Sequence, residues 1–231
     1  MNRPSFDALT LKKVPIFKGL RHEDYLKIFS LGKIKQFQKN SFLFNQGDDA
    51  KGVLILLEGK IKISQMGEEG NQVLLRVLGP GQLVAGVAVL ENGTYPGNGY
   101  TLEKTTVFCL DKANLLHLMS QYPPIALSIT QLLLKRIAEL QKRFREIATE
   151  KVETRIARTL LRFASHHGIK NPRGLLIDFP LTRQDLAEFT GTTLFSVSRL
   201  LKNWEREGLL ESGRKRVTLL QVEKLKLILK K

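Results

Sequence analysis

Residues 181–216 read LTRQDLAEFTGTTLFSVSRLLKNWEREGLLESGRKR, and this stretch decides how the C-terminal part of the chain folds. Thr182 is followed three residues later by Asp185, which predicts a capped helix start, because each side chain can bond the backbone amide of the other. Gly191 lies where that helix must end and reverse, since glycine adopts positive φ without a Cβ clash. Thr193 then predicts the start of a second helix.

The second helix of this stretch is amphipathic. Its apolar residues recur at helical spacing and are expected to be buried: Val197, Leu200, Leu201 and Trp204. Its first turns and outer face carry Leu194, Phe195, Ser196, Ser198, Arg199 and Lys202. A helix with exposed apolar, hydroxyl and basic side chains near its N-terminus is typical of proteins that read the major groove of DNA. Residues 208–220 then read as a hairpin that turns near Ser212 and Gly213 and carries a basic run at residues 214–216. A plain helical hairpin is the alternative for the two helices, but this basic hairpin favours DNA.

The charge of the chain is high and unevenly distributed. Its 231 residues include 37 Lys and Arg against 22 Asp and Glu, a net charge of +15. Residues 1–110 hold 14 basic and 10 acidic side chains, a charge of +4, which leaves +11 for residues 111–231. Most of the positive charge therefore lies in the half with the two-helix stretch, as expected for a polyanionic partner. An ordinary solvated surface is the alternative when charge is considered alone.

Cysteine and histidine usage excludes several kinds of site. Cys109 is the only cysteine, so one subunit cannot form a disulfide, a cysteine-rich zinc site or a four-cysteine iron–sulfur cluster. Its setting, TTVFCLDK, alternates like a strand and predicts a small buried side chain. The histidines lack metal-ligand spacing, so we expect no metal site at His22, His117, His166 or His167.

Membrane and enzyme signals are missing from the sequence. No apolar run approaches the roughly 18 residues that span a bilayer. The N-terminal segment MNRPSFDALTLKK lacks the apolar core of a signal peptide, which predicts a cytoplasmic protein. No nucleophile–base–acid spacing, Walker loop or metal motif is present, so we expect no catalytic residues and no enzyme.

The hydrophobic periodicity changes twice along the chain. Residues 6–32 read as short helices. Their apolar side is predicted to hold Leu26, Phe29 and Leu31. Over residues 34–110, short runs rich in Val, Leu, Ile and Phe are separated by glycines, which predicts a small antiparallel barrel or sandwich. The pattern is helical again over residues 123–150, so the predicted fold class is α+β.

The helix over residues 123–150 carries a heptad seam. Its members are spaced 4, 3, 4 and 3 residues apart: Leu133, Ile137, Leu140, Phe144 and Ile147. Because a long helix after a small barrel has few partners within its own chain, we expect two copies to pair as a parallel homodimer. Packing of the seam on the chain's own β domain is the alternative.

These elements together resemble the CRP/FNR family of bacterial transcription regulators. The resemblance is carried by TRQDLA, the glycine turn and VSRLLKNWEREGLL, and by FLFNQGDDAKGVLILLEGKIKIS in the strand-rich part. It covers nearly the whole chain. It implies an N-terminal antiparallel β-roll, similar to cyclic-nucleotide-binding domains, that senses an effector over residues 1–122. A dimerisation helix over residues 123–150 and a winged helix-turn-helix domain over residues 151–231 follow.

The resemblance and the side-chain chemistry together nominate a DNA-binding set. Phosphate contacts position such a protein, and base contacts specify the sequence. We expect phosphate contacts from Thr182, Arg183, Thr193, Ser196, Lys202, Arg214, Lys215 and Arg216. We expect base contacts from Leu194, Phe195, Ser198 and Arg199, whose guanidinium fork matches guanine O6 and N7.

Two positions depart from the family's recognition helix. Phe195 stands where the typical member has a Glu that accepts from a cytosine amine, and Leu194 stands where cyclic-AMP-sensing members have an Arg. Because Phe cannot make that hydrogen bond, the family's TGTGA or TTGAT half-sites are not expected. Contact with a thymine methyl group is a plausible substitute. A dimer predicts a palindrome whose half-sites are about one helical turn apart.

A further departure lies in the expected effector pocket. Cyclic-AMP sensors of the family use a Glu for the ribose and an Arg–Ser pair for the phosphate, and the matching positions here are Gln82, Gly97 and Asn98. No Arg or Lys lies between Arg76 and Lys104, so a buried phosphate would lack charge-assisted hydrogen bonds of about 1.5–3 kcal/mol each. Cyclic AMP is therefore not the expected ligand. The pocket candidates are Gly81, Gln82, Leu83, Gly97, Asn98, Gly99, Tyr100, Leu140 and Gln141.

The sequence thus predicts a homodimeric, sequence-specific transcription regulator that acts on a palindromic site under an unidentified effector. The expected partners are double-stranded DNA, a second copy and RNA polymerase, with no membrane. No cofactor is predicted, since an iron–sulfur cluster lacks its cysteines and haem has only His22 or His117 as a ligand. A ligand-independent architectural or nucleoid-associated DNA-binding protein is the alternative.

Overall fold

The structure, a computed structural model, describes residues 6–68, 70, 72–84, 86–90 and 93–230. The first five residues of the segment considered for a signal peptide lie outside the described residues. The chain forms two units. The first comprises Met1–Met66 and Leu75–Ile137, and the second comprises Gly67–Leu74 and Ala138–Lys231.

The first unit begins with short helices, as predicted. Two 3-10 turns, Ala8–Lys13 and Pro15–Phe17, precede helix α1, His22–Leu31. The prediction for Leu26 is wrong, because its side chain is 55% exposed. The helix instead buries Tyr25 and Ile28, three residues apart, and the Tyr25 hydroxyl donates to the Phe17 carbonyl at 2.8 Å. Phe29 and Leu31 pack beside the core as partly buried residues.

The strand-rich part of the first unit forms two four-stranded sheets. One has the order β1-β8-β3-β6 and the other β2-β7-β4-β5. The strands are β1 Lys33–Phe37, β2 Phe42–Phe44, β3 Gly52–Glu58, β4 Ile61–Met66, β5 Gln72–Leu78, β6 Leu83–Val84, β7 Asn98–Thr101 and β8 Thr105–Asp111, with the short helix α2 Gly86–Leu90 before β7. Antiparallel pairing joins β8 to β1 and β3, and β7 to β2 and β4. The antiparallel β-roll is therefore confirmed.

Strand β8 separates two apolar clusters because its side chains alternate between its faces. Phe108 and Leu110 enter one cluster, whereas Val107 and Cys109 contact the other. Cys109 is partly buried, and burial raises the pKa of its thiol. The thiol is therefore uncharged at neutral pH and behaves as the small packing residue that the strand pattern predicts.

Two helices close the first unit. They are α3, Lys112–Gln121, and α4, Pro123–Thr149, of which the part up to Ile137 belongs to this unit. Ile125 and Ile129 of α4 are buried in the core cluster of the β-roll, and Leu133 packs against it as a partly buried side chain. The start of α4 therefore packs on its own chain, and of the five predicted seam residues only Leu133 packs on this core cluster.

The second unit continues from the rest of α4 into a small α+β domain. Its elements are α5 Val152–His167, β9 Gly168–Asn171, β10 Gly174–Ile177, α6 Arg183–Thr190, α7 Leu194–Arg206, β11 Leu210–Gly213, β12 Arg216–Leu219 and α8 Val222–Ile228. One sheet has the order β11-β12-β10-β9. Ile156, Leu160, Leu186, Leu201 and Leu225 are each fully buried, so α5, α6, α7 and α8 all supply the core of this unit. The α+β fold class is confirmed.

Candidate nucleic-acid interface

The helix-turn-helix forms where the sequence predicts it. The Thr182 hydroxyl accepts from the Asp185 amide at 2.9 Å, and the Asp185 carboxylate accepts from the Thr182 amide at 2.9 Å, so both ends of the capping box are made. Gly191 ends α6 with φ 60° and ψ 47°, the left-handed conformation that glycine favours. Thr193 caps α7 through a 3.2 Å bond from the Ser196 amide. Local chemistry therefore fixes the turn between the two helices.

Helix α7 divides its side chains as predicted between the core and the surface. Val197, Leu201 and Trp204 are buried, and Leu200 is partly buried. Leu194 is 48% exposed and Phe195 is 73% exposed on the first turn. Both side chains are therefore exposed on the turn where the sequence predicts base contacts.

The polar residues of α7 surround that apolar pair. Arg199 and Lys202 are exposed, whereas Ser196 and Ser198 are partly buried. The Arg199 guanidinium carbon lies 5.9 Å from the centre of the Phe195 ring, one helical turn away. Phe195 and Arg199 therefore share one face and can contact neighbouring base pairs together.

The basic hairpin is the wing, and its tip lies two residues later than predicted. Strands β11 and β12 are joined by the two turn residues Arg214 and Lys215, whereas the sequence suggested a turn near Ser212 and Gly213. Lys215 has φ 61°, and its carbonyl accepts from the Leu181 amide at 3.1 Å. This bond ties the tip to the segment just before α6. Arg214, Lys215 and Arg216 are all exposed, as phosphate contacts require.

Ser212 connects the wing to both helices of the motif. Its amide and hydroxyl donate to the Glu205 carboxylate of α7 at 2.8 and 2.5 Å. The Arg183 guanidinium of α6 donates to the Ser212 hydroxyl at 3.2 Å. The sequence suggested a phosphate contact for Arg183 and gave no role to Glu205 or Ser212, because these bonds join three separate elements.

Most members of the predicted dimer seam are exposed on α4. Phe144 is 76% exposed, and Ile137, Leu140 and Ile147 are also exposed. Leu134 and Leu127 extend the same face and are exposed too. Leu133 differs, because it packs on the β-roll core. The free apolar face therefore runs from Leu127 through Leu134 to Ile147.

The first group of effector-pocket candidates lies before and within β6. Gly81 donates to the Leu56 carbonyl at 2.7 Å, and the exposed Gln82 accepts from the Gly79 amide at 2.8 Å. Leu83 is buried, and its carbonyl accepts from the Arg136 guanidinium of α4 at 2.7 Å. The sequence between Arg76 and Lys104 contains no cation, and the contact of Arg136 could not be predicted because α4 lies far along the chain.

The second group of candidates lies in and just before β7, in the other sheet. A Cβ at Gly97 would meet the Ser64 carbonyl oxygen at 2.5 Å, and one at Gly99 would meet the Phe44 ring at 2.6 Å. These two glycines therefore permit close packing in the sheet. The Asn98 amide oxygen accepts from the Gln46 amide at 2.9 Å, and the Tyr100 ring contacts the Phe42 ring edge to face at 5.2 Å. Leu140 and Gln141 belong to the second unit and are exposed on α4.

Among the described residues, no group of three or more His, Cys, Asp or Glu side chains is arranged to hold a metal ion. Within the same part of the chain, no helix is both long enough and apolar enough to cross a bilayer.

Comparison with known proteins matches both units. Residues 34–122 match the cyclic nucleotide-binding domain and residues 154–228 match the Crp-like helix-turn-helix domain. The Cyclic AMP receptor protein of Thermus thermophilus is 26% identical over 203 residues, which cover 88% of this chain and 91% of that protein. The Probable transcriptional regulator flp of Lacticaseibacillus casei is 30% identical over 212 residues, 91% and 93% of the two chains. The solved structure of the c-di-GMP responsive global regulator CLP of Xanthomonas campestris has a TM-score of 0.74 at 21% identity and covers 92% of this chain and 99% of its own.

A β-roll, a long helix and a winged helix-turn-helix with an exposed recognition helix define a DNA-binding transcription regulator with an effector-binding domain. The chain belongs to the CRP/FNR family of such regulators, as its relation to the L. casei regulator shows. Homodimers and palindromic sites are typical of this family. The relatives named above are transcription regulators, which are not enzymes.

Proposed function

We propose that two copies of this chain bind one palindromic site and that each places the first turns of α7 in the major groove. Arg199 reads a guanine there, and Leu194, Phe195 and Ser198 contact the neighbouring bases. The phosphate contacts come from Thr182, Arg183, Thr193, Ser196, Lys202, Arg214, Lys215 and Arg216. The two copies pair through four residues of the predicted seam: Ile137, Leu140, Phe144 and Ile147. The fifth seam residue, Leu133, packs on the β-roll instead.

The exposed first turn of α7 is the observation that carries this proposal. Phe195 is 73% exposed on a helix whose other face is anchored by the buried Trp204. Glu205 and Ser212 hold the basic wing beside the same helix. The exposed end of this helix carries apolar and cationic side chains that can contact base edges in a major groove. The positive hairpin beside it can contact the phosphates.

Selection of binding sites from random DNA duplexes tests the proposal. We expect an inverted repeat with half-sites about one helical turn apart, and a guanine next to a thymine in each half. Arg199→Ala should relax the choice at the guanine, while Lys224→Ala, a matched loss of one exposed charge on α8, should leave the selected sequence unchanged. Recovery of single asymmetric sites would contradict the dimeric geometry.

A ligand-independent architectural DNA-binding protein is the second candidate, and the charge of +11 on residues 111–231 favours it. Such a protein binds any duplex with an affinity that falls steeply with salt. Competition between the selected duplex and a scrambled duplex at physiological salt separates the two. At least about a thousandfold preference is expected of a specific regulator, and equal competition is expected of an architectural protein.

We further propose that the β-roll binds an effector other than cyclic AMP. The names of relatives point to different effectors, since the Thermus protein is a cyclic AMP receptor and CLP is c-di-GMP responsive. Here Gly97 packs against a carbonyl, and Asn98 already accepts from Gln46. Neither residue supplies the positive charge that a buried phosphate needs, and the Arg136 guanidinium bonds the Leu83 carbonyl instead. We also propose that the protein needs no iron–sulfur cluster or haem and has no catalytic activity.

Calorimetric titration with cyclic AMP and with cyclic GMP tests the proposal that the effector is not cyclic AMP. We expect no saturable binding in the micromolar range, and saturable binding would contradict the proposal. An absorbance scan after haem addition should show free haem only.

RNA polymerase is the remaining proposed partner, and transcription in vitro from a promoter that carries the selected site should change when the protein is added.

A further inference from the structure

Arg143 joins the C-terminal half of α4 to the helix-turn-helix within the second unit. Its guanidinium carbon lies 3.8 Å from the centre of the Phe189 ring, a cation–π contact. The same guanidinium donates to the Phe189 carbonyl at 3.3 Å. Phe189 lies in the last turn of α6, where backbone carbonyls lack helical partners. One side chain of α4 therefore holds both the ring and the backbone at the end of α6.

Arg155 of α5 makes a second connection, to Gly191, which lies two residues after Phe189. From α5 it donates to the Ile147 carbonyl in the last turn of α4 at 2.8 Å and to the Gly191 carbonyl at 3.2 Å. Gly191 is the turn residue that sets the direction of α7. The planar fork of one arginine thus fixes the end of α4 and the turn before the recognition helix with respect to each other.

Ion pairs between α4 and α5 support these two arginines. Glu146 is 6% exposed, and its carboxylate accepts from Arg162 at 2.7 and 2.9 Å and lies 3.7 Å from Arg158. Arg158 also pairs with Glu150 at 2.8 Å. A buried carboxylate is stable only with such partners, so the ends of α4 and α5 are held in one arrangement.

We infer that Arg143 and Arg155 are positioning residues that fix the angle of α7 to the dimer helix and thereby set the half-site spacing that the dimer accepts. The inference rests on the proposed dimeric reading of a palindrome. In a symmetric dimer, any rotation of α7 about the end of α4 occurs in both subunits, so the two recognition helices change their separation and phase together.

Binding to a series of palindromes tests the inference. The half-sites are kept constant while their separation is set at the optimum and at one and two base pairs on either side. The wild type should bind the altered spacings at least about tenfold more weakly, because a misplaced half-site loses base contacts worth about that factor each. Arg143→Gln and Arg155→Lys should reduce this preference to within about threefold, because the recognition helices can then reorient. A merely structural loss would lower all affinities alike and leave the preference intact, and that result would overturn the inference.

Arg145→Gln is the matched control, because this neighbouring arginine of α4 is exposed. It should retain the wild-type spacing preference. Melting temperatures of all variants establish that they are folded at the assay temperature. If the wild type itself shows no spacing preference, the proposed dimeric reading fails. If the wild type shows the spacing preference and both variants retain it, the dimeric reading stands and only the inference about Arg143 and Arg155 fails.

A distance measurement in the absence of DNA tests the same inference for variants that bind DNA too weakly for the palindrome-spacing assay. Spin labels at Asn203→Cys, exposed on α7, in a Cys109→Ser background report the separation of the two recognition helices. We expect one narrow distance distribution with the native arginines and a broad one in Arg143→Gln and Arg155→Lys. Equally narrow distributions in all proteins would overturn the inference, whereas no interspin distance in any of them would contradict the homodimer.

Discussion

At the scale of single residues, the departure of Phe195 from the family pattern is the most informative feature of α7. A carboxylate at this position would accept a hydrogen bond from a base, whereas a ring can only contact apolar groups and edges. The structure places the ring in solvent beside Arg199. The 5-methyl group of thymine is the apolar group that the major groove offers to such a ring.

Replacement of the contacted thymine by deoxyuracil, which removes only the methyl group, tests this contact. A buried methyl group contributes about 0.8 kcal/mol, so each half-site should lose about fourfold in affinity for the wild type. In Phe195→Ala the same replacement should have almost no effect, because the partner of the methyl group is gone. Phe195→Leu should retain part of the effect and is the matched variant. Equal losses in the wild type and in Phe195→Ala would show that the ring does not contact the thymine.

At the scale of elements, α6, α7 and the wing differ from α4 in how far the sequence predicts them. The capping box of α6, the cap of α7, the glycine turn and the buried stripe act within a few residues, so the helix-turn-helix could be predicted almost residue by residue. Leu26 was misplaced because several apolar residues of α1 compete for one buried face. The contacts of Arg136, Arg143 and Arg155 could not be predicted, because each joins elements that only the tertiary fold brings together.

Helix α4 carries an apolar face that one chain leaves exposed, and Phe144 is its largest exposed member. Phe144→Ser should weaken dimerisation at least about a hundredfold, since burial of one Phe contributes about 1.5–3 kcal/mol and the dimer contains two. Sedimentation equilibrium measures the change. Leu116→Ser, at an exposed position of α3, is the control and should remain dimeric. An unchanged dimer in Phe144→Ser would place the subunit interface elsewhere.

The wing depends on Ser212 for its attachment to α6 and α7. Ser212→Ala removes hydrogen bonds to charged partners, and because these are partly exposed we expect about a three- to tenfold loss of DNA affinity. The loss should be uniform across sequences, because wing contacts are to phosphate. Fluorescence anisotropy with specific and scrambled duplexes measures it. Ser165→Ala, whose hydroxyl bonds only its own helix, is the control, and a sequence-dependent loss in Ser212→Ala would contradict this role.

At the scale of the whole molecule, the chain combines a β-roll with a DNA-binding unit that includes the C-terminal half of its long helix. The division into segments 1–122, 123–150 and 151–231 stays a prediction. The class of protein and its DNA-binding module could be predicted from the sequence. The effector could not, because none of the pocket candidates carries a charge that would indicate a class of ligand, and several of them pack within two different sheets.

The most direct test of the central claim is hydroxyl-radical footprinting of the wild type on the selected palindrome, with Arg199→Ala in parallel. We predict two protected segments of equal strength, related by the dyad of the site and about one helical turn apart. Both segments should weaken together in Arg199→Ala, because one substitution alters both subunits of a homodimer. A single protected segment, or uniform protection along the duplex, would contradict the claim that this regulator reads DNA as a symmetric pair.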